Sequence, residues 1–314
     1  MSDGPLTAGL VLAAAINLAV DRLTAEIVGL FVSEGIPTLL IKGPAIQEAL
    51  YPDTVRPYGD SDLLVRARDW DRAVALLGRE GFSDYLGPMA HPRMESLAGT
   101  AFLRGNDNLD LHATLEGLSA GPDAVWEAFS EHAQSREIGG RSVLVPGRPA
   151  LLMHVALHVA KHPAVTKPAE DLRRAISQVS LADWRAAAEV AERLGGLAIF
   201  AEGLRLSPQG QMLAQRLGVQ DVSSVQTALR TSGVPVAEGL NELLSSGIGL
   251  EGALARLRAE LLPNASFMRW NHGIARRGRL GLALAYPQRW WFLATKLPGA
   301  LREVWRVRRH HRSG

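Results

Sequence analysis

The chain has 314 residues, 47% of them hydrophobic and 21% charged, which allows one large domain or two ordinary ones and excludes a disordered polypeptide. It contains no cysteine, so disulfides, thiolate metal sites and a cysteine nucleophile are excluded, and a reducing cytoplasm is the expected location. The net charge of +2 is unevenly spread: residues 265–314 hold 11 of the 34 Lys/Arg but only one of the 32 Asp/Glu. An acidic body with a basic tail often marks contact with an anionic partner.

In chain order, residues 8–34 predict one or two helices stopped by Gly35. The apolar run AGLVLAAAINLAV inside them spans about 13 residues, too short for a bilayer and without the basic start of a signal peptide, so a buried core helix is expected. PTLLIK reads as a buried strand ending in a tight turn at Gly43. PAIQEALY reads as a helix, because proline suits a first helical turn. DSDLLV reads as a second strand, and RDWDRAVALLGREGF as an amphipathic helix closed by Gly81. A long loop with Pro88 and Pro92 leads to TAFLRG and NLDLHATL, two strands joined by the turn GNDN. A helix is expected around 122–134, then a hairpin closed at Gly139-Gly140. From Pro149 the period is helical throughout. The expected organisation is therefore a mixed-sheet domain over 1–148, a helical domain over 149–264 and a basic Trp/Arg-rich segment over 265–314.

The chemistry concentrates at Asp60 and Asp62. On a strand, residues two apart share a face, so their carboxylates sit about 7 Å apart, two strand rises, with Ser61 opposite. Such a pair repels unless a cation lies between, and a hard oxygen-seeking ion such as Mg²⁺ or Mn²⁺ suits it. Asp110, in NLDLHATL, is a third candidate. If its strand lies beside DSDLLV, three carboxylates converge, enough for two metal ions that activate an attacking oxygen and stabilise a leaving pyrophosphate. His112 shares the face of Asp110 and is expected at the rim. Lys42 and Gly43 supply the complementary half: a glycine turn before a helix offers N–H groups, and lysine a charge, to phosphate.

The stretch LIKGPAIQEALYPDTVRPYGDSDLLVRARDWDRAVALLGREGF, with LDLHATL later, resembles the uncharacterised nucleotidyltransferase family of the polymerase-β-like superfamily. HVALHVAKH at 154–162 and EDLRRAI at 170–176 fit the helical continuation of that family, so the resemblance covers roughly residues 30–180. It implies an α+β nucleotidyltransferase fold with a mixed sheet followed by an all-helical part. It implies that Asp60, Asp62 and Asp110 bind metal, with Asp110 also activating the acceptor hydroxyl. The substrate implied is a nucleoside triphosphate such as ATP. Lys42 and Gly43 stand where better-studied relatives carry a Gly-Ser turn, a departure that leaves the mode of triphosphate binding open. Arg56 also matches the family pattern, with phosphate contact and a structural ion pair as its two roles.

His154, His158 and His162 fall at i, i+4 and i+8 on one helical face. They lack the Glu of an H-E-x-x-H zinc site, so core hydrogen bonding, nucleotide contact and metal binding are the roles to separate. Asp171 is a candidate partner for a histidine or arginine. In the tail, arginine interleaved with Trp290, Trp291 and Trp305 suits docking on the acidic body, an anionic membrane surface or nucleic acid. The expected activity is metal-dependent transfer of a nucleoside monophosphate with release of pyrophosphate, to a small molecule, a peptide or protein hydroxyl or an RNA end. The alternatives are a catalytically silent nucleotide- or RNA-binding module and a small-molecule phosphotransferase. The latter is disfavoured because neither a Walker A loop nor protein-kinase signatures occur.

Overall fold

The computed structural model describes residues 4–84, 97–234, 236–244, 254, 257–258, 260–263 and 265–311. The loop expected around Pro88 and Pro92 lies outside the described residues. The chain forms two compact units that divide between Val222 and Ser223.

The first unit begins with helix α1 (Gly4–Ser33), followed by β1 (Thr38–Leu40), α2 (Pro44–Leu50), β2 (Ser61–Val65), α3 (Trp70–Arg79), β3 (Ser83–Asp84), β4 (Thr100–Arg104) and β5 (Asp107–His112). The five strands make one mixed sheet in the order β1-β2-β5-β4-β3. Only the central β2/β5 pair is parallel, and its register sets Asp62 beside Asp110 and Leu64 beside His112. Every residue of β2 is buried, as the apolar run LLV anticipates. Helix α4 (Pro122–Ser130) is shorter than expected, because Gln134 already opens a hairpin of β6 (Gln134–Ile138) and β7 (Arg141–Val145).

Helices α5 (Arg148–Lys161), α6 (Thr166–Gln178), α7 (Leu181–Arg193), α8 (Leu197–Arg205) and α9 (Pro208–Leu217) complete this unit. Leu63, Leu111 and Val145 from the strands and Leu152, Val155, Phe200 and Leu204 from the helices belong to one continuous core. The passage from strands to helices near residue 148 is thus a change of composition inside one body. The expected divisions at 148 and 264 give way to one at 222, because α5–α9 have no core of their own.

The run expected to form a buried core helix, residues 8–20, is largely exposed in α1, with only Asn17 and Val20 buried in it, and burial is concentrated in the later part of the helix. Ile27 and Phe31 are fully buried, whereas Leu10, Val11, Leu12 and Leu18 are each at least half exposed. Over Ala8–Ser33 the helix is long and apolar enough to cross a bilayer, with 28% of the window buried, which corrects the expectation that the apolar run is too short. Its polar side chains nevertheless hold the body together. Asn17 donates to the Arg56 carbonyl and accepts from the Tyr58 N–H, Tyr58 donates to Asp21, and the Thr24 and Ser61 hydroxyls share a 2.8 Å bond.

The second unit contains α10 (Val225–Thr231), α11 (Ala237–Leu243), α12 (Ala265–Asn271) and a 33-residue helix, α13 (Gly278–His310). Ala300, Val304 and Val307 of α13 pack with Leu229 and Ala237, and Ala285 packs with Met268 and Ala275.

Candidate active site

The carboxylates meet at the start of β2 and on the adjacent β5. Asp62 lies inside β2 with 1% of its surface exposed, and Asp60 immediately precedes the strand. Asp110 is the register partner of Asp62, so the expected adjacency of the two strands is what the structure contains.

Lys42 follows β1 after one residue, Ile41, and its Nζ lies 2.5 Å from Asp62 Oδ1. Burial disfavours its charge, but the attraction of Asp62 and then of Asp60 and Asp110 outweighs it, so the ammonium titrates above its ordinary range. For Asp62 the same contest runs the other way. Burial pushes the carboxyl up, while Lys42 first and then the adjacent His112 bring it far below the usual carboxylate range. Asp60 and Asp110 are both raised, first by burial and then by repulsion from Asp62. The site therefore holds one carboxylate neutralised by a lysine and two that lack a sufficient counter-charge.

His112 is oriented from behind. Its Nδ1 lies 2.6 Å from the Ala98 carbonyl oxygen, which can only accept, so Nδ1 carries the proton. Nε2 then faces Asp62 Oδ1 at 3.3 Å. A neutral imidazole would turn a lone pair toward a carboxylate there, an arrangement relieved either by a proton or by a metal ion between them. Asp62, Asp110 and His112 can each bring a ligand atom within 4.8 Å of the others. A backbone carbonyl fixing the distal nitrogen is also the usual support for a metal-binding histidine. The residues present thus fit a divalent cation. Gly99 permits the ring its place: a Cβ there would lie 2.8 Å from His112 Cε1.

Gly43 has φ of 55°, a conformation that a side chain disfavours, and this turn delivers Lys42 to the site. The backbone half of the expected phosphate cradle is weaker than the sequence suggests. Pro44 has no N–H, and the Ala45 N–H donates to the Lys42 carbonyl. The turn's contribution is the lysine side chain.

Beside the carboxylates lies a cavity of about 260 Å³ lined by Lys42, Gly43, Arg56, Asp60, Asp62, His158, His162 and Lys167, among others. The structure separates the three histidines, two within α5 and His162 just past its end. His154 is buried, with Nδ1 donating to the Ile41 carbonyl at 3.2 Å, and serves the core. His158 and His162 line the cavity. Burial and then Lys42 hold His158 at about 3, so it is neutral at physiological pH. Burial and then Lys161 lower His162 as well.

Arg56, 2% exposed, forms the structural ion pair: Nε and Nη2 donate to the two oxygens of Asp171 at 2.7 and 2.6 Å, and the Tyr51 hydroxyl donates to the same carboxylate. Its Nη1 is buried without a hydrogen-bond partner. Lys167, at the start of α6, is the cavity residue that sequence reasoning missed. Nothing in TKPAED distinguishes it from a solvated helix-start lysine. Burial and then Arg56 lower its ammonium.

Residues 5–209 match the family described as uncharacterised nucleotidyltransferase, and the chain belongs to that family. It is a nucleotidyltransferase in class, with the α+β architecture of a mixed sheet followed by helices. No functionally curated protein shows significant sequence similarity to it. Among solved structures, the solution structure of the antibiotic-resistance factor ANT(2'')-Ia is similar over 59% of this chain and 95% of that one, at 17% identity and a TM-score of 0.41. The crystal structure of ANT(2'')-Ia in complex with adenylyl-2''-tobramycin is similar over 55% and 97%, at 19% identity and a TM-score of 0.41. An antigenic nucleotidyltransferase-like protein from Paracoccidioides brasiliensis is similar over 66% and 88%, at 13% identity and a TM-score of 0.34. Family membership rests on the first of these matches alone.

Proposed function

We propose that the protein transfers a nucleoside monophosphate from a nucleoside triphosphate to a hydroxyl acceptor, releasing pyrophosphate. The observation that carries this reading is a cavity walled by Asp60 and Asp62 together with Lys42, Arg56 and Lys167, with the under-neutralised Asp110 beside Asp62 on the adjacent strand. Anionic and cationic groups facing one cavity suit a ligand that arrives as a metal-complexed phosphate chain.

In this reading Asp60, Asp62, Asp110 and His112 hold Mg²⁺ or Mn²⁺, which when bound supplies Lewis-acid polarisation of phosphate oxygens and of the acceptor oxygen. Asp110, with its raised affinity for a proton, accepts the proton of the acceptor hydroxyl. The acceptor oxygen then forms its bond to the α-phosphorus. The bond from that phosphorus to the bridging oxygen breaks, and pyrophosphate leaves with the electron pair. Lys42 and Lys167 bear on the β- and γ-phosphates, and the unpartnered Nη1 of Arg56 offers them a further donor. Neutral His158 and His162 hydrogen-bond without adding charge. The cavity lies just below the roughly 300–1,000 Å³ of sites that enclose drug-sized ligands, which suits the phosphate end of a nucleotide better than the whole.

The test is incubation with each α-labelled triphosphate, Mg²⁺ or Mn²⁺ and a cell extract as acceptor source, following both label transfer and pyrophosphate. The double variant Asp60→Asn/Asp62→Asn is expected to abolish both. Undiminished turnover in that variant, or release of a nucleoside diphosphate, would overturn the reading.

A further inference from the structure

Helix α13 presents a second feature that the nucleotidyl-transfer reading does not use. Its inner face, with Gly281, Ala285, Ala300, Val304 and Val307, is buried within its own unit. Polar ties pin it there: Tyr286 donates to the Pro263 carbonyl, Arg289 pairs with Glu260 at 2.9 Å, and Arg308 donates to Asn241.

The opposite face follows a strict alternation of four and three residues. Leu280, Leu284, Pro287, Trp291, Ala294, Pro298, Leu301 and Trp305 occupy it, and all eight are exposed. Leu280 is 82% exposed, Trp291 74% and Trp305 68%. From Leu280 to Trp305 the stripe runs for about 38 Å at 1.5 Å per residue. No polar residue interrupts it. Exposed cations cluster toward its ends instead: Arg277 and Arg279 stand before it and Arg302 near its close, while Arg276 donates to the Arg269 carbonyl, Arg306 pairs with Glu303 and Arg309 lies over the Trp305 ring. Glu303 is the single acidic residue between 277 and 311, and it pairs with Arg306.

We propose that this face lies in the interfacial plane of an anionic lipid bilayer. An apolar centre with tryptophans, and arginines placed to reach outward from its ends, matches a helix that sinks its stripe to the acyl boundary and meets negatively charged headgroups. A nucleic-acid surface would need its cations along the middle of the face, where this helix has leucine and tryptophan. A second copy of the chain would use the same four-three spacing as a coiled-coil seam. Two prolines and two tryptophans at seam positions do not form knobs-into-holes packing.

The full chain is to be floated with vesicles of pure phosphatidylcholine and with vesicles containing about one third phosphatidylglycerol. Binding to the anionic vesicles, weakened by salt, is expected. Trp291→Glu/Trp305→Glu should lower it at least about ten-fold, with the circular dichroism spectrum and melting temperature unchanged, since both side chains are exposed. Arg277→Gln/Arg302→Gln should reduce the preference for anionic over neutral vesicles. Absence of vesicle binding, equal binding to both lipids, or binding that survives the tryptophan double variant would overturn the proposal. So would loss of RNA binding or of a dimer, in place of vesicle binding, in that variant.

Discussion

The metal-free protein should respond in opposite directions to neutralising its two paired strand carboxylates. Asp62→Asn leaves the Lys42 ammonium, 2.5 Å from its former partner, in a cleft where its side chain keeps 18% exposure. Removing one member of a buried pair costs about 3–5 kcal/mol, and the residual exposure of Lys42 points to the lower end, about 3 kcal/mol. For a unit of roughly 200 residues this lowers the melting temperature by about 6–12 °C. Asp110→Asn instead removes a carboxylate that is raised by burial and by repulsion from Asp62, so its melting temperature should hold or rise. The assay is thermal unfolding followed by circular dichroism in chelator at neutral pH. An unshifted Asp62→Asn, or an Asp110→Asn destabilised as much as Asp62→Asn, would refute the assignment of Asp62 as the neutralised member. The pH dependence follows the same signs. The depressed Asp62 contributes stability that is present above the ordinary carboxylate value of about 3.9 and lost as pH falls through its lower one. Lys42, raised, contributes below about 10.4 and ceases to do so as pH climbs through its higher value.

Adding Mn²⁺ or Mg²⁺ at about 100 times its dissociation constant should stabilise the wild type by about 2.7 kcal/mol and Asp110→Asn far less, by the same melting assay. That gain should shrink as pH falls into the raised range of Asp60 and Asp110, because protons then compete for the ligand oxygens. Gly99→Ala, which places a methyl 2.8 Å from His112 Cε1, should weaken metal affinity by about 10–100-fold in titration calorimetry while Gly43-dependent placement of Lys42 is untouched. Asp171→Ala strands the buried Arg56 guanidinium and should cost about 3–5 kcal/mol in denaturant unfolding, with Arg56→Met/Asp171→Leu recovering part of it.

Much of the site was legible because it depends on local rules. Period two put Asp110 and His112 on one face, an apolar LLV marked β2 as central, and Gly43 marked the turn that carries Lys42. What escaped depends on distant partners. Asn17, Asp21 and Thr24 tie α1 to Arg56, Tyr58 and the first residue of β2, Ser61, across 37 to 41 residues, and no periodicity in an alanine-rich run announces that. The same run looked like core because composition reports apolarity but not which half finds a neighbour. Lys167 and the division of labour among His154, His158 and His162 follow from how α5 and α6 frame the cavity, which helical spacing alone does not fix. The division into compact units at 222 was not legible for a related reason: the end of the strands near 148 is visible in composition, whereas the sharing of one core is not.

The Arg56–Asp171 clasp has a consequence for how the protein can be divided. The arginine sits on the loop that leads to Asp60, while the aspartate sits on α6, well beyond the last strand. A fragment ending at Val145 would keep every carboxylate of the site yet lose the counter-ion of a guanidinium that is 2% exposed, together with Lys167 and the cavity histidines. The nucleotidyltransferase fold here is therefore not a detachable module onto which helices were appended. A self-sufficient piece must reach beyond α6 to the core residues of α8 and α9, and grafting or shuffling experiments that cut at the end of the strands will sever the part that keeps the acidic loop in register.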